Sequence, residues 1–284
     1  MAKETKYGII DFQKDFPNED ACLDYLFSVL HTKECSCGGT YNRIKERKQY
    51  QCSKCRFQIA PMAGTIFEKS TTHLLKWFHA IFIFSNAKSG ISAKEMERQL
   101  NVTYKTAWRI LKLIRECLGQ GNFRLRGDVE MDEAYFGGRG YGGEDNKNAS
   151  SVMANKSKVI GAVERNGVMR AKKVPNVRAI TIEEFIDENI DLENTRLLTD
   201  SSNRYGSGYH RQTVNHSKKQ YVSGDVYVNN IESFWSHVKR SVKGTHKVIS
   251  KKYLQSYLDA FVWHYNNRYN DRVRFDVLLS AILQ

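Results

Sequence analysis

The sequence predicts an α/β protein in which a mixed sheet with flanking helices follows two smaller modules, one built on cysteines and one helical. Three observations predict it. Four of the six cysteines fall within residues 35–55. Apolar residues then recur at helical spacing through residues 72–117. From about Gly127, short alternating runs bounded by Gly, Asn and Asp take over, interrupted by helical stretches. That order divides the chain into an N-terminal helix and cysteine module (1–67), a helical module (68–126) and an α/β region (127–284).

Hydrophobic residues make up 41% of the 284, enough for real cores, and only three prolines argue against long disordered linkers. No stretch approaches the roughly 20 apolar residues of a membrane span. The opening "MAKETKYGII" lacks the apolar centre of a secretory signal, so a soluble, intracellular protein is expected. The formal charge of +13 suggests a polyanionic partner, most simply nucleic acid. Its distribution is more telling: 21 basic against 12 acidic residues over 1–127, 10 against 14 over 128–203, and 13 against 5 over 204–284. An acidic centre between basic flanks suits a chain that holds a polyanion with its ends and a metal with its middle.

In "CSCGGTYNRIKERKQYQCSKC", Cys35-x-Cys37 and Cys52-x2-Cys55 are separated by fourteen residues. Paired knuckles around a short basic hairpin are the pattern of a zinc ribbon, four thiolates about one structural Zn²⁺. Two disulfides are the alternative, disfavoured in a reducing compartment. The first knuckle is one residue short, which keeps His31 as a substitute ligand. Cys22 and Cys117 lie in apolar helical contexts and read as core thiols.

"THLLKWFHAIFIFSNAKSGIS" reads as an apolar helix. Beyond it, Ser92 caps a helix, Asn101-Val102 breaks it, and Thr103 opens a second whose Ala107, Ile110, Leu111 and Ile114 share a face. A short helix, a tight turn and a basic second helix make a helix-turn-helix, with Tyr104, Lys105, Arg109 and Lys112 on the side that can enter a DNA groove. A plain helical hairpin with a solvated lysine face is the alternative.

In the α/β region "DVEMDEAYFGG" reads as a strand, "SKVIGAVERNGVMRAKKV" as two strands joined at "RNG", "TIEEFIDENI" as a helix with a Thr181–Glu184 capping box, and "TRLLTDSSNRY" as a buried strand ending in Asp200. "NNIESFWSHVK" gathers Ile231, Phe234, Trp235 and Val238 on one helical face, with Val242 beyond, and sets Glu232, Ser236, Lys239 and Lys243 in a stripe along its edge. Glu232 and Lys239 stand roughly 10 Å apart, too far for an i, i+4 ion pair. Asp132, Asp200 and Glu232 are then the parts of a carboxylate cluster for divalent metal, the donor set that phosphodiester chemistry needs. Glu130 and Glu133 are expected on the face opposite Asp132, Asp128 too far back along the strand, and Asp225 in a turn.

Taken in series, the cysteine ribbon followed by "GTIFEKSTTHLLKWFHAIF", the paired helices, "MDEAYFGG", "LLTDSSNRY", "NNIESFWSHVKRSVKGTH" and "YLQSYLDAFVWHYNNR" resemble the DDE-type insertion-sequence transposases of the ISXO2-like family, from about residue 30 to the end. The resemblance implies an RNase-H-like fold for the α/β region. It also implies catalytic Asp132, Asp200 and Glu232 on Mg²⁺ or Mn²⁺, binding of an insertion sequence's terminal inverted repeats, and Mg-dependent cleavage and strand transfer. Double-stranded DNA as partner, a homodimer or higher oligomer, and a bacterial cytoplasmic, nucleoid-associated location follow from it. Phosphate contacts are expected from Arg204, Arg211, Lys218, Lys219, Lys239, Arg240, Lys243 and Lys247. Asn230 stands as the alternative third ligand. An inactive DNA-binding regulator, or a nuclease on the same fold, is the alternative function.

Overall fold

The computed structural model describes residues 6–137, 156–200, 205, 211–214, 227–269 and 271–283. The chain forms two compact units: residues 1–118 with 267–284, and residues 119–266.

In the first unit, α1 (Ile9–Asp15) and α2 (Glu19–Leu30) lead into a three-stranded antiparallel sheet of β1 (Tyr41–Arg43), β2 (Tyr50–Cys52) and β3 (Gln58–Ile59). Asn18 caps α2, accepting from Ala21 N at 2.9 Å. The apolar helix α3 (Leu74–Asn86) buries Trp77, Phe78, Ile81 and Phe84. Ser92 caps α4 (Ala93–Leu100) and Thr103 caps α5 (Tyr104–Glu116), accepting from Glu95 N at 3.1 Å and Thr106 N at 3.3 Å. Between them Asn101 takes the left-handed conformation, φ 48°, which Asn tolerates better than most residues. The break and both caps stand where the sequence predicts them.

The second unit is a five-stranded mixed sheet. Its strands are β4 (Leu125–Phe136), β5 (Ser157–Glu164), β6 (Met169–Val174), β7 (Ile190–Asp200) and β8 (Arg211–Val214), in the order β6-β5-β4-β7-β8. β4, β5 and β6 run antiparallel in sequence; β7 lies parallel to β4, and β8 parallel to β7. α6 (Ala179–Asn189) connects β6 to β7, and α7 (Asn229–Ser241), a π-helical turn at Val242–His246 and α8 (Leu254–Asn266) follow β8. The predicted capping box of α6 does not form. The helix starts at Ala179, two residues ahead of Thr181, and Thr181 instead donates to Asn176 Oδ1 at 2.9 Å.

Strand alternation sorts the side chains onto two faces. Leu125, Val129 and Met131 join Ile160, Leu197 and α6 residues Ile182, Phe185 and Ile186 in one core. Ala134, Phe136, Val159 and Leu198 join Ile231, Phe234, Trp235 and Val238 of α7, and α8, in the other. The even-numbered residues of β4, Asp132 among them, therefore face α7.

The outer edge of β6 is closed by side-chain amides. Asn266 accepts from Met169 N and donates to its carbonyl, Gln120 does the same for Ala171, and Gln255 Oε1 accepts from Lys173 N. Each supplies the partners a neighbouring strand would give, so the edge has little left to recruit another chain.

The last helix, α9 (Asp271–Leu283), falls in the first unit, where the Phe275 ring packs tilted or edge-on against Tyr7, Phe12 and Phe16. By contact, then, the sheet unit closes at 266, whereas the sequence runs its third region to 284.

Candidate active site

The register of β4 and β7 brings two predicted acids onto one face. Glu130 pairs with Leu198, the last registered pair of the two strands, and Asp132 and Asp200 each lie two residues beyond it, on the same face of the sheet. That face is covered by α7, which carries Glu232 in its first turn. The proximity has an electrostatic signature. Burial foremost, and then the charges of Glu133, Asp200 and Glu232, push the Asp132 carboxyl up to about 7.

The surplus of negative charge suits a divalent cation, and a carboxylate donor set suits Mg²⁺ or Mn²⁺. Among the described residues the three acids are not drawn into a group within 4.8 Å, as the cysteines are. Two metals about 4 Å apart need a wider donor set than one ion does.

α7 reaches this position because the sheet leaves room for it. Gly161, paired with Asp132 across β4 and β5, lies under the helix. A Cβ there would stand 2.5 Å from Trp235 Cζ2 and 3.2 Å from Ile231 Cδ1, so only glycine lets α7 settle at this depth. The tip of β7 is held by Arg211, which donates to Thr199 Oγ1 at 2.9 Å and to the Asp200 carbonyl at 3.1 Å. The sequence expects Arg211 to grip phosphate; the structure turns it onto the strand instead. Arg204, Lys218, Lys219 and Asp225 lie outside the described residues.

One acid behaves otherwise than expected. Glu130 is two residues from Asp132 and shares its face, because strand side chains alternate with period two; only Glu133 lies opposite. Glu130 is fully buried, and its carboxylate accepts from Asn230 N and Asn230 Nδ2, both at 2.8 Å, and from Ile231 N at 3.2 Å. Asp128 pairs with Arg196 and Arg165, which hold it below the ordinary carboxylate range, the Arg196 hydrogen bond first among the causes. The clue to Glu130 is in the sequence: its even spacing to Asp132, and an Asn-rich helix start with an apolar Val228 at the cap.

The four cysteine sulfurs of the ribbon lie within 4.8 Å of one another. Cys35 and Cys55 sulfurs are 3.6 Å apart, Cys37 and Cys52 3.4 Å, and all four are free thiols. Tetrahedral Zn–S bonds of 2.3 Å place sulfurs about 3.8 Å apart, whereas a disulfide needs about 2.05 Å. The donors fit zinc. The Cys37 backbone N–H, and then the Tyr41 hydroxyl, draw the Cys35 thiol down to about 6. Cys55 goes the other way, to about 12: the Phe57 N–H lowers it, but hydrogen bonds shared with Cys37 and Cys52 raise it further. Four thiolates at once need a cation among them. The short knuckle is completed by glycines: Gly38 has φ +73°, and a Cβ on Gly39 would stand 2.5 Å from Cys52 Sγ. His31 is outside this quartet and its ring lies tilted against Phe27, 5.7 Å between centres.

A model of the ISXO2-like transposase domain matches residues 124–266, half of the chain and nearly the whole sheet unit. The chain belongs to the ISXO2-like transposase family. An uncharacterized protein in transposable element ISH50 of Halobacterium salinarum is similar to it, 27% identical over 236 residues that cover 78% of this chain and 79% of that protein. The match runs beyond the sheet unit into the first unit.

On this insertion-sequence transposase the other predicted contact residues divide. Tyr104, half exposed, Lys105 and Arg109 project from α5, while its Ala107, Ile110, Leu111 and Ile114 are buried. Lys112 is half-buried and pairs with Glu116 at 3.3 Å. Lys239, Arg240 and Lys243 are exposed. Lys239, Lys243 and Lys247 line a cavity of about 240 Å³ with Tyr135, Val242 and Val248, beyond the C-terminal end of β4. No helix among the described residues is long and apolar enough to cross a membrane.

Proposed function

We propose that this protein binds the terminal inverted repeats of an insertion sequence and catalyses metal-dependent DNA cleavage and strand transfer at its ends. Asp132, Asp200 and Glu232 are the catalytic acids in this reading, and residues 119–266 an RNase-H-like unit. What supports it is that Asp132 and Asp200 lie on the sheet face that α7 covers with Glu232 in its first turn, and that, after burial, the charges of Glu133, Asp200 and Glu232 raise the Asp132 carboxyl. The sheet order and the family support the RNase-H-like reading.

In that site the three carboxylates would hold Mg²⁺ or Mn²⁺, which would supply activation of the attacking water or 3′-hydroxyl and an offset for charge on the leaving oxygen. The chain's own residues do the rest. Asp132 and Asp200, fixed on neighbouring strands, set the direction of attack. Glu232 closes the donor set from α7. Lys239, Lys243 and Lys247, about two to four turns further along, take the phosphates flanking the scissile bond and hold the strand in line. No covalent link between protein and DNA is needed, because the freed 3′-hydroxyl serves as the next nucleophile.

Tyr104, Lys105, Arg109 and, less fully, Lys112 present α5 as the reading helix of a helix-turn-helix, and the ribbon with its structural Zn²⁺ adds a second basic surface. Arg240 extends the phosphate contacts, and Arg204 belongs to the same set. Synapsis of two ends calls for at least a dimer, acting where the DNA is, at the bacterial nucleoid.

The deciding experiment incubates the full chain with duplexes carrying the element's terminal repeats, with Mg²⁺ and without. Cutting at the repeat boundary followed by joining to a second duplex is the expected result. Tight binding without cutting assigns a regulator, and cutting of repeat-free DNA without joining assigns a nuclease.

A further inference from the structure

A fourth acid lies beneath the three. We infer that Glu130 is a positioning residue for the active site, resting on the reading above: it fixes the start of α7, and so Glu232, against Asp132. Asn230 is its partner in this and not a metal ligand.

Helix α7 has no cap of its own. Val228 stands at the cap position and makes no side-chain hydrogen bond there. The first-turn N–H groups nonetheless need acceptors, and a buried helix start without them is costly. Glu130 provides them from a neighbouring strand. One oxygen, Oε2, takes Asn230 N at 2.8 Å and Ile231 N at 3.2 Å; the other, Oε1, takes Asn230 Nδ2 at 2.8 Å and Arg165 Nε at 3.2 Å. That makes four donors for a carboxylate's roughly four lone-pair sites. The charge also complements the positive end of the helix. Glu130 is thus committed, and so is the Asn230 amide N–H: the reverse orientation of that amide would set its oxygen against the carboxylate.

The cation in this arrangement is built in. Arg165 bonds Glu130 and Asp128, donates to the Tyr227 carbonyl at 3.1 Å and lies over the Tyr227 ring at 3.7 Å from its centre. It therefore fastens the residue just ahead of α7 as well as neutralising the acid that caps it. Glu130 is 0% exposed and the Arg165 side chain 13%, so water competes little for these bonds.

The geometric consequence falls on Glu232. Glu130 and Asp132 are two residues apart on one strand face, about 7 Å; Asn230 and Glu232 are two apart on one helix. Tying Asn230 to Glu130 therefore sets Glu232 relative to Asp132, in depth and in rotation, within one short circuit of rigid elements. A metal site tolerates about 0.5 Å of misplacement, and outer partners of metal ligands typically govern 10–100-fold in affinity or activity.

The test uses the full-length, zinc-loaded chain and its variants Glu130→Gln, Asn230→Ala, Glu232→Gln and, as a control, Asn229→Ala, which alters the exposed neighbour. Mn²⁺ affinity is read directly by electron paramagnetic resonance, alongside melting temperature and the metal dependence of end cleavage. Expected are a 10–100-fold weaker Mn²⁺ affinity for Glu130→Gln and Asn230→Ala, cleavage partly recovered at high metal, a larger loss for Glu232→Gln and no change for Asn229→Ala. Wild-type Mn²⁺ affinity in both Glu130→Gln and Asn230→Ala, with only the melting temperature lowered, makes the contact merely structural and overturns the inference. A loss in Asn230→Ala as deep as in Glu232→Gln makes Asn230 a ligand and also overturns it. A wild-type chain that takes no Mn²⁺ overturns the active-site reading first, and this inference with it.

Discussion

Asp132 carries the sharpest consequences of single residues. Asp132→Ala or Asp200→Ala is expected to abolish cleavage while leaving binding of end DNA within a few-fold of wild type, read by gel shift and cleavage on the same duplex. Equal loss of both would mean that these acids support the fold. A pH signature accompanies Asp132. Its carboxyl titrates near 7 in the folded, metal-free chain against an ordinary 3.8, so the folded state keeps a proton that the unfolded state has lost. Stability therefore falls as pH rises from about 4 to about 7 and levels off above that. Asp132→Asn should flatten that slope in a melting series, and Mn²⁺ should stabilise the wild type more at pH 8 than at pH 5, since metal must displace the proton. Glu130 shows the limit of reading residues singly: its parity with Asp132 was legible, but its burial and its Asn230 partner, a hundred residues away, were not.

For the elements, α7 matters most. Its apolar face, Ile231, Phe234, Trp235 and Val238, was legible from helical spacing, and all four residues are buried. Its depth on the sheet was not, because that depends on the missing side chain of Gly161. Gly161→Ala should force Trp235 and Ile231 outward, with about 1–3 kcal/mol of overpacking and a Glu232 displaced from its partners. Thermal melting and Mn²⁺ affinity should fall together; an unchanged affinity would show that the helix is placed by its N-terminus alone. α6 teaches the converse. Thr181 and Glu184 have the spacing of a capping box, yet the helix begins earlier because Asn176 turns the chain ahead of it and takes the Thr181 hydroxyl.

At the scale of the whole molecule, charge and metal decide. Chelating zinc should unfold the ribbon, whose three short strands of three, three and two residues cannot close a core of their own, and on the order of 10 kcal/mol of folding energy comes from such a metal. The sheet unit, whose cores contain no ribbon residue, should keep its strand signal in circular dichroism; its loss would show the two to be energetically coupled. End binding should weaken steeply with salt, and Lys105→Ala should lower the slope of log K against log salt by about one, whereas a slope unchanged by Lys105→Ala removes α5 from the DNA.

What the sequence determined alone is the local and the periodic: the cysteine quartet, both helix caps at Ser92 and Thr103, and the buried stripes of α5 and α7. Each depends on neighbours within a turn, a strand or a knuckle, where spacing already fixes geometry. The tertiary structure alone decided which strands lie side by side, and so that Asp132 and Asp200 share one face of neighbouring strands, that Arg211 serves the strand tip, that β6 is closed by amides from Gln120, Gln255 and Asn266, and that Glu130 caps a helix from across the sheet. Those contacts join residues up to about a hundred positions apart, and no local pattern encodes them; they arise where buried polar groups must find partners once the sheet has closed.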